Sequence, residues 1–186
     1  MAKFTVGYII GSLARDSINR KLAKALVKLA PPDLAMVEIA WRDLPFYSYD
    51  FDQDYPKVAL DFKGAIHGAD AILFVTPEYN RSIPGALKNA IDWASRPYGT
   101  NAFAGKPAGV IGASVGAIGT AVAQQHLKGV LGYCNMSLMN SPEGYIAFKP
   151  DLIADDGTVT VDSTRQFLQT FMQAFADHIQ RCSAAG

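Results

Sequence analysis

The sequence has no excess charge of either sign. Of its 186 residues, 17 are lysine or arginine and 17 are aspartate or glutamate, so the formal net charge at pH 7 is zero. A neutral chain offers no electrostatic basis for binding nucleic acid or an anionic membrane surface. We therefore expect neither of these partners.

Long apolar segments and grouped metal ligands are also missing. No run approaches the roughly 18 apolar residues that a membrane-spanning helix needs, and no apolar segment follows a basic start as in a signal peptide. Cys134 and Cys182 lie far apart, which is typical of two reduced thiols in the cytoplasm. The three histidines show no metal-ligand spacing. These absences predict a cytoplasmic protein without a bound metal.

Three common signatures of nucleotide binding or catalysis are absent. The first strand-to-helix turn contains neither GxGxxG nor GxxxxGK[ST], which argues against a classical dinucleotide fold and against a P-loop NTPase. Ser114 has no G-x-S-x-G frame, so serine hydrolase chemistry is disfavoured.

What the sequence does contain is a regular alternation of strand and helix patterns. Hydrophobic residues make up 49% and charged residues 18%, as in a globular protein, and we expect one domain over 1–186. Strands are predicted at 4–10, 34–40, 69–75, 106–113 and 135–140, and helices at 17–30, 56–68, 84–95, 117–131 and 158–182. This order predicts an α/β fold: a flavodoxin-like, doubly wound, five-stranded parallel sheet with helices on both faces.

The segment after the third strand, residues 76–83, is the most informative. In an open α/β sheet, a rigid loop between a strand end and a helix start is where ligands bind. Pro77 has a fixed φ and no amide hydrogen. The amides of Glu78, Tyr79 and Asn80 are then expected to face a planar, hydrogen-bonding ligand such as a flavin.

Two further loops carry candidate contacts. Ser12, Ser17 and Asn19 surround the first strand-to-helix turn, where free amides and the helix dipole favour a phosphate. The alternative is that Ser17 only caps the helix. After the fourth strand, Ser114 and Gly116 are candidates for the pyrimidine side of a flavin, or this segment is a plain glycine-rich turn.

Taken together, segments 11–19, 76–93 and 112–119 resemble the NAD(P)H-dependent FMN reductase family, which includes bacterial chromate, quinone and azo-dye reductases. The resemblance implies FMN as cofactor and NADH or NADPH as co-substrate. It places the FMN phosphate at Ser12, Ser17 and Asn19, beside Ile18. Many relatives carry arginine directly after the leucine, where this chain has Ala14 and then Arg15, so Arg15 is a candidate replacement.

The resemblance also implies roles around the flavin ring. Its binding residues would be Pro77, Glu78, Tyr79 and Asn80, with Glu78 and Tyr79 as the catalytic candidates that shape the reactive ring. Arg81 and Arg96 are candidates for gripping a nicotinamide phosphate or an anionic acceptor, although exposed arginines are usually only solvated.

Helix 84–95 pairs with its copy in relatives, which implies a homodimer or tetramer, with Asn89 and Asp92 as candidate polar contacts at the seam. The aromatic loop 41–55 either packs in the core or an interface, or lines a site for a flat substrate.

The implied function is reduction of quinones, azo compounds, flavins or oxidised metals such as chromate and ferric complexes, by ping-pong hydride transfer through flavin N5. The alternative is a flavodoxin-type electron carrier without NAD(P)H turnover. Such carriers are typically strongly acidic, and this chain is neutral.

Overall fold

The computed structural model describes residues 2–184 and contains a parallel β-sheet covered by helices. Its strands are β1 (Phe4–Ile10), β2 (Leu34–Glu38), β3 (Ala71–Val75), β4 (Pro107–Ser114), β5 (Ser137–Leu138) and β6 (Gly144–Ala147). Its helices are α1 (Ile18–Leu29), α2 (Lys57–His67), α3 (Gly85–Ser95), α4 (Ala121–Tyr133) and α5 (Asp162–Ala184), and a short 3-10 helix spans Tyr49–Gln53.

The strand order is β2-β1-β3-β4-β5, with β6 also pairing to β4, and every pair is parallel. β1 lies between β2 and β3, so the order reverses beside β1, as in flavodoxin-like sheets. Because the strands are parallel, the carboxyl ends of β1, β3 and β4 meet at one edge of the sheet. The predicted α/β fold is confirmed.

Over residues 2–184 the sheet has six strands and not the five predicted, because the predicted fifth strand, 135–140, is reduced to β5 and a further strand, β6, follows it. β5 pairs with Pro107 and Ala108 at the start of β4, whereas β6 pairs with residues 111–114 at its end. Between them the chain contains Pro142, which has no amide hydrogen to donate to a sheet. β6, over 144–147, was missed because four residues carry too weak a pattern.

Helices cover both faces of the sheet, as predicted. One buried cluster joins the sheet to α1 and α5 through large side chains such as Leu22, Leu26, Phe171 and Phe175. A second cluster, on the other face, joins it to α2, α3 and α4 through Phe62, Leu87, Ile91 and Leu127. Within residues 2–184, no helix is both long enough and apolar enough to cross a bilayer.

Two helices begin four residues later than predicted. α4 begins at Ala121 because the preceding residues turn, with Gly119 at a φ of 59°. α5 begins at Asp162 because Ile153 and Val159 form an antiparallel bridge instead of entering the helix. The delayed start of α4 leaves residues 115–120 as a loop at the carboxyl edge of the sheet.

Candidate functional site

Three loops meet at the carboxyl edge of the central strands: 11–17 after β1, 76–84 after β3 and 115–120 after β4. Backbone hydrogen bonds tie their starting points together, from Gly11 N to Val75 O at 2.8 Å and from Thr76 N to Ile111 O at 2.9 Å. The indole Nε1 of Trp41 donates to Ile10 O at 3.2 Å and fixes the neighbouring β2 loop. The predicted ligand-binding loops therefore lie side by side.

The first loop leaves polar groups available at the start of α1. Ser17 occupies the N-cap position and is only 6% exposed, yet its side chain makes no capping hydrogen bond. The amides of Ile18 and Asn19 lie in the first helical turn, where no intrahelical acceptor exists. The capping interpretation of Ser17 is therefore not supported, and the serine hydroxyl and both amides suit a phosphate.

The side chain of Asn19 is used inside the fold. Its Nδ2 donates to Ala113 O at 2.9 Å, and its Oδ1 accepts from Ala113 N at 2.9 Å. β3 pairs with β4 only as far as Ile111, two residues before Ala113. The Asn19 amide thus replaces the next sheet partner, and only the backbone amide of Asn19 remains for a ligand.

The other two predicted contacts in this loop differ in burial. Ser12 is 6% exposed, and its Oγ accepts a long hydrogen bond of 3.4 Å from Ala14 N. Arg15 is exposed and, within residues 2–184, forms no ion pair. Its guanidinium is free to turn toward an anion bound at the start of α1.

The loop after β3 contains a tight turn. Tyr79 N donates to Ser82 O at 3.0 Å, and Ser82 N donates to Tyr79 O at 2.9 Å. Asn80 and Arg81 both adopt the left-handed conformation, with φ values of 51° and 61°. The expectation of a free Tyr79 amide was wrong because this turn uses it. Among residues 2–184, no acceptor is paired with the amides of Glu78 or Asn80.

The carboxylate of Glu78 points toward α4 and not outward. Its Oε2 accepts from Val122 N and Ala123 N, both at 3.1 Å, and its Oε1 accepts from Arg81 Nη1 at 2.9 Å. Burial raises the pKa of Glu78, but the hydrogen bonds from Ala123, Arg81 and Val122 outweigh it, so the pKa lies below its ordinary value. Both carboxylate oxygens are thus engaged, which differs from the expected contact with a reactive ring. Tyr79, half exposed, keeps its side chain at the surface.

The loop after β4 approaches β3 closely. A Cβ added to Gly112 would lie 2.0 Å from Thr76 O, so only glycine fits there. Beyond it, Ser114 Oγ accepts from Gly116 N at 3.0 Å and shapes the turn. Gly116 and its neighbours are exposed, which leaves this loop open on its outer side.

The two predicted arginine contacts lie at opposite ends of α3. Arg81 is 69% exposed in its side chain and pairs with Glu78. Arg96 follows the helix, and its carbonyl accepts from Tyr55 OH at 2.9 Å and from Lys63 Nζ. The 11 residues of α3, about 16 Å in length, lie between them.

Sequence reasoning missed the polar contacts that hold the aromatic loop. Asn89 donates to Pro45 O and accepts from Tyr47 N, at 2.9 and 2.8 Å, so its amide lies within the chain and not at a seam. Asp92 pairs with Lys88 at 2.8 Å. Tyr47, Phe51 and Tyr55 pack around Trp93, whose ring is fully buried. Most of the aromatic loop 41–55 therefore packs within the chain and does not line a site for a flat substrate.

This arrangement fits FMN. Donors for a phosphate lie at the start of α1, and the amides of Glu78 and Asn80 lie one strand away for the polar edge of a ring. The close approach of Gly112 to Thr76 holds the starts of the loops after β3 and β4 together beside these donors. The site is of the kind that holds a flavin in flavodoxin-like oxidoreductases.

Comparison with known proteins agrees with this class. Residues 4–151 match the family model described as NADPH-dependent FMN reductase. The chain belongs to this family, and it is a flavoprotein oxidoreductase that depends on FMN and NAD(P)H.

Individual relatives are similar over nearly their full length. A 2-hydroxy-1,4-benzoquinone reductase from a Burkholderia species is 52% identical over 171 residues, covering 92% of this chain and 93% of the relative. A quinone reductase from Pseudomonas putida is 44% identical, with 95% of each chain covered. The solved structure of FerB, a flavoenzyme NAD(P)H:(acceptor) oxidoreductase from Paracoccus denitrificans, has a TM-score of 0.92 and 48% identity, covering 96% of this chain and 98% of that one.

Proposed function

We propose that the chain is an FMN-dependent NAD(P)H:acceptor oxidoreductase whose principal acceptors are quinones. The observation that carries this proposal is the convergence of three loops, with unpaired donors, at the carboxyl edge of β1, β3 and β4. Two relatives named as quinone reductases, one of them at 52% identity, support the choice of acceptor class. Azo compounds, free flavins, chromate and ferric complexes are further candidate acceptors.

Each part of the chain has a separate task in this proposal. Ser17 and the amides of Ile18 and Asn19 bind the FMN phosphate, with Ser12 and Arg15 beside them. Pro77 and the amides of Glu78 and Asn80 orient the ring edge, and Ser114 and Gly116 bound its other side. Held by these residues, FMN would supply the redox chemistry, namely hydride transfer from NAD(P)H through N5 and then reduction of the acceptor in a ping-pong cycle.

Residues 1–186 form one FMN-binding domain in this proposal, and the enzyme is placed in the cytoplasm, consistent with two unpaired cysteines.

The enzyme assembles as a homodimer or tetramer through α3. A groove of about 830 Å³ between α3 and α4 supports that assembly, since it is lined by Ile91 and Val130 and flanked by Tyr98 and Tyr133, which are 87% and 86% exposed. Arg96 also lines this groove, so any contact that it makes with substrate would lie at the seam.

Anaerobic mixing with NADH or NADPH tests the function. The bound flavin should lose its yellow colour within seconds and recover it when a benzoquinone is added. A flavin that stays oxidised with both nucleotides would contradict the proposal and favour the electron-carrier alternative.

Light scattering tests the assembly. The expected mass is two or four times the 20.0 kDa of one chain, and Val130→Asp should lower it. An active, FMN-loaded monomer at micromolar concentration would refute the assembly through α3.

A further inference from the structure

The carboxylate of Glu78 bridges two segments that are far apart in the sequence. It belongs to the loop after β3, and its partners Val122 and Ala123 form the first turn of α4, 44 and 45 residues away. Its side chain is 6% exposed, although the next residue, Tyr79, is 51% exposed. A buried carboxylate directly before three exposed residues, 79–81, has a specific use in the fold.

The start of α4 needs an external acceptor. Thr120 occupies its N-cap position without a side-chain capping bond. Ala121 N donates to Ile118 O, but the next two amides, those of Val122 and Ala123, have no local partner. A carboxylate at a helix N-terminus is favoured by both hydrogen bonding and the helix dipole. Glu78 therefore caps α4 from another loop, and any movement between the loop and the helix breaks these bonds.

Other contacts converge on the same arrangement. Ser82 Oγ lies 3.1 Å from His126 Nδ1, which joins the far end of the β3 loop to the second turn of α4. The left-handed residues Asn80 and Arg81 turn the chain back on itself, so the Arg81 guanidinium reaches the second oxygen of Glu78. The loop is thus held at both ends, with Glu78 as its buried attachment.

We infer that Glu78 is a positioning residue for FMN. It sets the separation between the loop after β3 (76–84) and the start of α4, and thereby the position of the loop after β4 (115–120), which leads into α4. This inference rests on the proposed function, because these are the loops that would flank the ring. If the two loops already have a fixed spacing before FMN binds, less conformational entropy is lost on binding, and the affinity is higher. Loss of Glu78 should therefore release FMN faster, even though the carboxylate itself is turned away from the ring.

The test compares FMN release from the loaded wild-type protein, Glu78→Ala, Glu78→Gln and a matched control, Asp156→Asn. Asp156 is also a carboxylate that accepts from a backbone amide, Thr158 N at 2.9 Å, and from a cation, Lys28 at 2.9 Å, but it lies on another part of the chain. Release is followed by the rise of flavin fluorescence on dilution, and the visible circular dichroism of bound FMN reports the shape of its site.

Glu78→Ala should release FMN about tenfold faster and alter the visible circular dichroism, since one charge-assisted hydrogen bond is worth roughly that factor. Glu78→Gln should recover part of the loss, because its amide oxygen still accepts from Val122 and Ala123. Asp156→Asn should release FMN at the wild-type rate even if its melting temperature falls.

Wild-type release and an unchanged spectrum in Glu78→Ala would overturn the inference while leaving the proposed function intact. A wild-type protein that binds no FMN would instead overturn the proposed function, and the inference with it. If Glu78→Ala does not fold, Glu78→Asp decides the question: its shorter side chain keeps the charge but cannot reach both amides, so faster release supports the inference and unchanged release overturns it.

Discussion

Replacing Asn19 by alanine should destabilise the fold itself, beyond any effect on the cofactor. Asn19 is 1% exposed, and its side-chain amide exchanges two hydrogen bonds of 2.9 Å with the backbone of Ala113. Alanine can replace neither bond. The amide and the carbonyl of Ala113, which is fully buried, would lose their partners at the point where β3 has already ended.

The size of the effect follows from these two contacts. A buried polar group without a partner costs about 1–3 kcal/mol, and two such groups, partly relieved by an entering water molecule, give a loss of about 2–4 kcal/mol. For a chain of this length each kcal/mol lowers Tm by about 2–4 °C. We therefore expect Tm to fall by roughly 5–15 °C.

Thermal unfolding is measured by circular dichroism with and without added FMN, because a ligand that binds only the folded chain raises Tm by itself. Ser17→Ala is the matched control, since its side chain makes no capping bond. It should weaken FMN binding with little change in Tm without FMN. If Asn19→Ala without FMN melts within about 2 °C of wild type, the paired contact with Ala113 contributes no stability and the reasoning fails.

Three other perturbations separate further parts of the site. Gly112→Ala places a Cβ 2.0 Å from the backbone oxygen of Thr76 and should lower Tm, whereas Gly64→Ala, where an added Cβ meets nothing within 4 Å, should not; equal Tm values would contradict the close approach. Because the pKa of Glu78 is lowered from 4.5, its ionised form stabilises the fold above that pH, and this stability is lost as pH falls through the folded-state pKa. In urea unfolding, Glu78→Gln should therefore lose less stability than wild type between about pH 5 and pH 3, and parallel losses would count against a stabilising role of the ionised carboxylate. Arg81→Ala or Arg96→Ala should raise KM for the nicotinamide nucleotide with little change in kcat. If both variants keep the wild-type KM, these arginines do not contact the nucleotide and are only solvated.

Features with a local origin could be predicted from the sequence. Alternating strand and helix patterns are properties of neighbouring residues, and they were sufficient for the parallel sheet and for the three loops at its carboxyl edge. The start of α1 likewise follows from its own residues, with Ser17 preceding the first turn. The true length of the fifth strand and the presence of a sixth were not predictable, because β5 and β6 are too short to carry a pattern and are held by their pairing with β4.

The use of individual side chains was decided only by the tertiary structure. Asn19 looked like a phosphate ligand because it stands at a helix start, but its amide pairs with Ala113, 94 residues away. Glu78 looked like a group beside the ring, but it caps α4 across 44 residues. A polar side chain pairs with whichever buried donor or acceptor the fold brings to it. The sequence therefore determined where the site lies, whereas the packing of distant segments determined which of its polar groups remain free for a ligand.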